Sequence, residues 1–531
     1  MTLSAEKRLT LLFNARLQHV LKGGAVGLEQ ETLRVASNGH IASTPHPEAL
    51  GSALTHPFIT TDYSEALLEF VTPPTRQLEE ALAFLDELHR FTHELLPQGE
   101  LLWGASMPCT LGGEADIPIA RYGDSKLGRM KHIYRRGLGH RYGKTMQLIA
   151  GIHFNYSFPD SLGTTLQDLA PTVPTSPTAL QSAHYLATAR NLLRFGWLVL
   201  YLFGASPAVC TSFLAGRPGE ALRAYPPEQS RPHTHIGPWA TSLRMSDIGY
   251  TNHAERRLDL AIDYSDLDGY VDSLLRATTT PNPDYQRIGV VVDGDYRQLN
   301  ANWLQIENEF YSMVRPKCPT RSGERPLAAL RRRGVAYIEL RSVDLNPLLP
   351  LGIDADQVRF LELLLIYCLL CDSPPLSAED RRAIEDNQRQ CAAWGREASL
   401  TLQRQGRPVA LGQWARELLD DMAGVAEALD GGGQGPYNAV LNRQRQAVEA
   451  PELTPSARIL AAMADAHQGF YHFTRALAET HRRDFLARPL DPERRQYWLE
   501  QGRQSWRQQR ALEAGDDRSF EDYLKDYFDQ R

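Results

Sequence analysis

The chain has 531 residues, room for about three or four domains at roughly 150 residues each or for one large enzyme domain. Its 57 Lys and Arg against 64 Asp and Glu leave a net charge of -7, which argues against a general nucleic-acid binder, whose footprint is basic. Thirty-nine Gly and 33 Pro are ordinary usage, 42% hydrophobic residues suffice for a large core, and six dispersed Cys form no disulfide framework, so disordered, fibrous and disulfide-stapled classes are excluded.

In chain order, residues 5–22 carry leucines at three- and four-residue spacing interrupted by charges, which predicts a surface helix and excludes a signal-peptide apolar stretch. Gly27–Val35 (GLEQETLRV) reads as a strand with Glu29 and Glu31 on one side, because side chains alternate along an extended chain. Asp62 and Glu69 flank a second strand-like stretch, and 76–96 repeats the helical leucine spacing. Residues 137–145 (GLGHRYGKT) end like a phosphate-binding loop, but Leu138 stands where its first glycine is needed. Met146–Ser157 divides cleanly in period two, with Gln147, Gly151, His153 and Asn155 on one face and Leu148, Ile152 and Phe154 on the other. Phe195–Val209 is the longest apolar run; Gly196, Gly204 and Pro207 interrupt it and it falls short of a membrane span. Leu304–Tyr311 alternates Gln305, Glu307, Glu309 and Tyr311 with apolar residues, and Tyr337–Asp344 sets Tyr337, Glu339 and Arg341 against Ile338 and Leu340. From about Leu351 the pattern is helical, with capping boxes at Ser377/Asp380 and Ser519/Asp522 and a proline at the first helical position after Thr454. The expectation is an α+β body over 1–350 with a helical lobe over 351–531 packed on it as one compact unit. The charge pattern and the missing leader point to a soluble, reduced, cytoplasmic protein.

Other signatures fail. Cys368 and Cys371 have redox spacing but sit in an apolar helix, where thiols are inert, and His233 and His235 lack a third zinc ligand at a recognised spacing. What remains is the set of acids on alternating faces. An antiparallel sheet with one wet face explains any single strand of this kind. Several such strands in one sheet would pile like charges together unless a cation neutralised them. Carboxylates with one His and no Cys suit Mg²⁺ or Mn²⁺, and carboxylate-held metals grip phosphates, so the pattern reads as phosphoryl-transfer chemistry of unspecified substrate.

Long blocks carry the reading further. GLEQETLRV, SMPC, YRRGLGHRYG, MQLIAGIHFNYSFP, ATSLRMSDIGYTN, NWLQIENEFYSMVRPK and YIELRSVDLNP resemble the proteobacterial-type glutamate–cysteine ligases, and the likeness is densest over 20–350. The resemblance implies an antiparallel β-sheet funnel of glutamine synthetase-like type with surrounding helices and a helical C-terminal lobe. It implies ATP-dependent ligation of the L-glutamate γ-carboxyl to the L-cysteine amine through a γ-glutamyl phosphate, the first step of glutathione biosynthesis. Carried over by position, Glu29, Glu31, Asp62, Glu69, His153 and Glu339 would hold Mg²⁺ or Mn²⁺, with Glu29, Glu69 and Arg341 catalytic and Arg341 on ATP phosphate. Arg244 would pair with the glutamate carboxylate, and Asn155 and Gln147 would hydrogen-bond that substrate. Tyr63, Tyr134, Leu138, Tyr250 and Tyr311 would wall a small cysteine pocket. Glutathione as a feedback inhibitor and a monomeric state follow from the same resemblance; nucleic-acid and membrane partners do not. Gln30 stands where the family often has a basic residue, the loop 215–238 diverges, and beyond about 375 the match loosens. A ligase of the same fold joining glutamate to another amine, a phosphotransferase acting on a guanidine, and a non-catalytic binding module are the competing readings.

Overall fold

The computed structural model describes residues 5–169, 176–215, 233–249, 261–515 and 517–530. Seven strands form one sheet: β1 (Ala25–Val35), β2 (Ile59–Thr61), β3 (Leu67–Val71), β4 (Leu101–Trp103), β5 (Ile152–Ser157), β6 (Val314–Lys317) and β7 (Tyr337–Val343). Their order is β6-β7-β5-β1-β3-β2, with β4 also pairing to β1, and every pairing is antiparallel. With the many helices around it, this is an α+β fold, as expected from the sequence.

One face of the sheet is dry. Leu28, Phe154, Tyr156, Ile338 and Leu340 are buried on it. The helix Ala355–Leu370 packs beneath, and nearly all of its residues are buried, which is why FLELLLIYCLLC is apolar on every side. Its one buried acid, Glu362, accepts hydrogen bonds from Tyr156 (3.0 Å) and Tyr437 (2.7 Å). One hydrophobic cluster runs from Leu9 to Trp498, taking in residues on both sides of position 350.

Four local expectations change. The first helix stops at Asn14, and a 3-10 turn, Gln18–Leu21, follows. Met146–Leu148 is a 3-10 turn, so only Ile152–Ser157 of that segment is strand. Leu304–Tyr311 is not a strand at all: Glu309 folds back to accept from Gln305 N (2.7 Å) and pairs with the buried Arg141 (2.8 Å), while Glu307 meets Arg325 (3.2 Å). Internal partners therefore satisfy both acids, and period-two polarity there reports a folded loop. The largely helical region past 351 also contains a hairpin, Thr401–Arg404 with Arg407–Ala410. Ser377 and Asp380 do form a capping box, and Ser519 caps Phe520–Asp529. Among the described residues, no helix is long and apolar enough to cross a membrane.

One C-terminal helix packs against two buried neutral imidazoles. Phe485, on the helix Phe470–Leu486, stacks on His89 at 5.0 Å and on His93 at 5.1 Å. His89 Nε2 lies 2.6 Å from Gln30 Oε1. Burial lowers His46 and His89 to about 3 and His56 to about 4. A histidine whose folded pKa is depressed binds its proton only in the unfolded chain as pH falls below about 6.5, so its contribution is whole above that value and is lost below it. Unfolding free energy is therefore expected to fall by up to about 1.4 kcal/mol per pH unit for each such histidine between about pH 6 and pH 4. Urea titrations across that range check this, and a His89→Gln variant with the same slope as the parent would remove His89 from the account.

Candidate active site

The register of the sheet assembles the wet face. β1 places Glu31 opposite Glu69 on β3 and Glu29 opposite His153 on β5. β7 places Glu339 opposite Asn155 on β5, and β6 places Arg315 opposite Glu339. Directly opposed residues share a face, so acids from β1, β3 and β7 converge with one imidazole. A ligand atom from each of Glu29, Glu69 and His153 lies within 4.8 Å of the others. Asp62 follows β2 at the rim, and the Arg135 guanidinium stands 3.8 Å from its carboxylate.

The hydrogen bonds fix these groups differently. Glu29 lies 2.8 Å from His153 Nδ1 and accepts from Asn155 Nδ2 at 2.9 Å. Glu31 accepts from Gly151 N at 2.8 Å. Glu339 is buried among cations, with Arg341 Nη1 at 3.4 Å, Lys317 Nζ at 3.5 Å and Arg315 Nη1 at 4.0 Å. Its Oε2 is buried without a hydrogen-bond partner.

Electrostatics split the site in two. Burial pushes Glu69 well up, and Glu29, Asp62 and Glu31 add repulsion. Glu31 is raised chiefly by burial, with Asp62 adding to it. Burial also opposes ionisation of Glu339, but Lys317, Arg341, His153 and Arg315 outweigh it and hold that carboxyl well below the usual range. Burial opposes ionisation of Glu29 too, but the His153 hydrogen bond together with the charges of His153 and Lys317 outweighs it and lowers that carboxyl. One side is thus short of positive charge and the other side is cationic. The deficient side offers hard oxygen donors and one imidazole with no thiol, a donor set that fits Mg²⁺ or Mn²⁺.

These groups line a cavity of about 980 Å³. Tyr63, Tyr134, Leu138, Gln147, Tyr311 and Arg341 line it as well, so most of the expected site residues come together. Tyr311 donates to Gln147 Oε1 at 2.8 Å, while Gln147 Nε2 and Tyr63 OH are buried without hydrogen-bond partners. Arg244 lies beside the cavity on the 3-10 turn Leu243–Met245, buried, donating to Arg341 O at 2.8 Å with Asp344 at 3.8 Å. Gly151 makes room for it, since a Cβ there would collide with the guanidinium. Tyr250 and most of the loop 215–238 lie outside the described residues.

Sequence reasoning missed several cations. Arg315 and Lys317 alternate on β6, and Lys131 and Arg135 stand four residues apart on the helix Lys126–Tyr142, ahead of Leu138 on the same face. Both spacings were visible, but neither stood out from ordinary surface charge. The thiols take no part: Cys109, Cys210, Cys318, Cys368 and Cys391 are buried, and burial pushes Cys210 and Cys371 up to about 12.

The chain is similar to known proteins in sequence and in fold. Residues 9–391 match the sequence profile of the family described as glutamate-cysteine ligase. The chain is 47% identical over 530 residues to a glutamate–cysteine ligase of Alcanivorax borkumensis, covering 98% of this chain and 99% of that one. It is 48% identical over 525 residues to one of Azotobacter vinelandii, covering 98% and 97%. A crystal structure of the Francisella tularensis glutamate–cysteine ligase in complex with AMP superposes with a TM-score of 0.88 at 35% identity, covering 96% of this chain and 98% of that one.

Proposed function

Because the chain belongs to the glutamate–cysteine ligase family and makes γ-glutamylcysteine from L-glutamate, L-cysteine and ATP, we propose that the acid-lined cavity over the sheet is where the bond is made. The convergence of Glu29, Glu69 and His153 within 4.8 Å carries this reading. Glu29, Glu31, Asp62, Glu69, His153 and Glu339 would hold Mg²⁺, with Mn²⁺ as a substitute. A divalent cation bound there supplies positive charge against the ATP phosphates and the charge that develops during transfer.

The remaining roles belong to the chain itself. Arg341, with Arg315 and Lys317 beside it, steadies the phosphates from the cationic side; a planar guanidinium suits bidentate contact with phosphate oxygens. Arg244 holds the glutamate α-carboxylate, and Asn155 and Gln147 orient that substrate. Tyr63, Tyr134, Leu138, Tyr250 and Tyr311 enclose the cysteine side chain. A γ-carboxylate oxygen of glutamate attacks the γ-phosphorus, and ADP leaves. The cysteine amine then attacks the acyl carbon, loses a proton, and expels phosphate that carries the former carboxyl oxygen. Ligation to a different amine is not favoured, since the relatives matched over nearly the whole chain are glutamate–cysteine ligases.

Glutathione as a feedback inhibitor, a monomeric state, a cytoplasmic location and the division into a 1–350 catalytic body and a 351–531 lobe belong to the same proposal. The test is an isotope balance. With ¹⁸O in the glutamate γ-carboxyl, the released phosphate is expected to carry one labelled oxygen per ADP formed, and only when cysteine is present in turnover. Unlabelled phosphate would refute the acyl-phosphate route.

A further inference from the structure

The C-terminal helix Phe520–Asp529 does not join the main core. Phe520, Tyr523, Leu524 and Tyr527 pack instead with Met130 and Ile133 in a separate small cluster. Just beyond the helix, Gln530 makes two hydrogen bonds to one loop. Its Oε1 accepts from Arg325 N at 2.9 Å, and its Nε2 donates to Gly323 O at 2.9 Å. Arg325, a residue only 1% exposed, completes the joint, its guanidinium reaching Glu307 at 3.2 Å and donating to the Phe528 carbonyl.

The loop held in this way runs over 319–325 and brings Thr320, Arg321 and Ser322 to the wall of the catalytic cavity. Gly323 at its tip has φ +73°, a left-handed conformation that glycine adopts freely and leaves as freely. On its other side the loop is tied through Glu324, which accepts from Arg321 N at 2.9 Å and pairs with Arg333 at 2.8 Å. That tie reaches the backbone at Arg321 and does not reach the Gly323 carbonyl. Arg321 lines the same cavity as Arg315, Lys317 and Arg341, and the most highly charged substrate group is the triphosphate.

We propose that Gln530 is a positioning residue for ATP: it clasps the loop 319–325 to the C-terminal helix and so fixes the wall against which the nucleotide binds. The last helix, which lies beyond the matched residues 9–391, is then part of the active-site architecture. The proposal rests on the reading of the cavity as the site of reaction.

The test uses the full chain with Gln530→Ala and Gln530→Glu; the second keeps the acceptor for Arg325 N and loses the donor to Gly323 O. Gln530→Ala is expected to raise the KM for ATP about five- to twentyfold, the scale of one or two lost hydrogen bonds. It should leave the KM for cysteine within about twofold and the unfolding temperature nearly unchanged. Trypsin should cut after Arg321 about tenfold faster, because local opening becomes easier. Gln530→Glu, which sets a carboxylate oxygen against the Gly323 carbonyl, should raise the KM for ATP and the cleavage rate at least as much as Gln530→Ala does. Unchanged cleavage, or faster cleavage with an unchanged KM for ATP, overturns the proposal. So does a uniform rise in every KM with a lowered unfolding temperature, since that marks a merely structural role. Failure of the cavity assignment would show separately, as full turnover in Glu69→Gln.

Discussion

Glu69→Gln is expected to cut Mg²⁺-dependent ADP release at least about a hundredfold, equivalent to about 2.7 kcal/mol of transition-state stabilisation. Glu29→Gln should do the same. Folding should survive in the Glu69 variant. Burial and three neighbouring acids already disfavour the Glu69 carboxylate, so an amide of the same shape removes a repulsion and leaves no hole. Added Mg²⁺ supplies a second readout that needs no substrate. An ion that binds only the folded chain stabilises it by about 2.7 kcal/mol at a hundred times its Kd. The parent should therefore gain unfolding temperature with Mg²⁺, and Glu69→Gln should gain far less at the same concentration. The two readouts test different things. Lost turnover with an unchanged Mg²⁺ shift would place Glu69 against substrate instead of metal; intact turnover would take it out of the site.

The extent to which this site could be read from the chain depended on whether backbone extension and burial coincided. In β1 and β7 they did: Glu29, Glu31 and Glu339 alternate with residues the dry face needs, and the sheet brings them together. The same alternation misled at Leu304–Tyr311, because Glu307 and Glu309 are polar for a different reason, each neutralising a buried arginine in a loop. Period two shows which side chains share a face only after the chain is known to be extended. Arg315 and Lys317 stayed hidden for the complementary reason, since a short basic stretch near a proline reads as surface until its strand is paired. Resemblance supplied the roles of Arg244 and Asp62, which no periodicity marks. Neither could have shown that a residue near the end of the chain reaches the cavity wall, because the contact of Gln530 with Gly323 spans 207 positions.

The two amino-acid sites are expected to separate in kinetics. Arg244→Lys keeps a positive charge near Glu31 but loses the planar fork that a carboxylate can take two-handed. The KM for glutamate should rise roughly ten- to hundredfold, the equivalent of about 1.5–3 kcal/mol for a hydrogen bond to a charged group, while the KM for cysteine changes little. Part of the fork is already engaged, since one nitrogen donates to Arg341 O; the substrate therefore competes with or completes a preformed arrangement. Tyr311→Phe is expected to act in the opposite sense. Its ring is placed in the wall of the cysteine pocket, so the KM for cysteine should rise more than that for glutamate, which Tyr311 reaches only through its hydrogen bond to Gln147. Tyr250→Phe is expected to follow Tyr311→Phe. Two-substrate kinetics on the three variants decide the matter. If Arg244→Lys raises only the KM for cysteine, the two carboxylate sites are exchanged and the ligase reading stands. If it raises neither, Arg244 serves only to brace β7 through Arg341 O and Asp344, and the glutamate carboxylate must be held by another cation of the wall, such as Arg135 or Lys131.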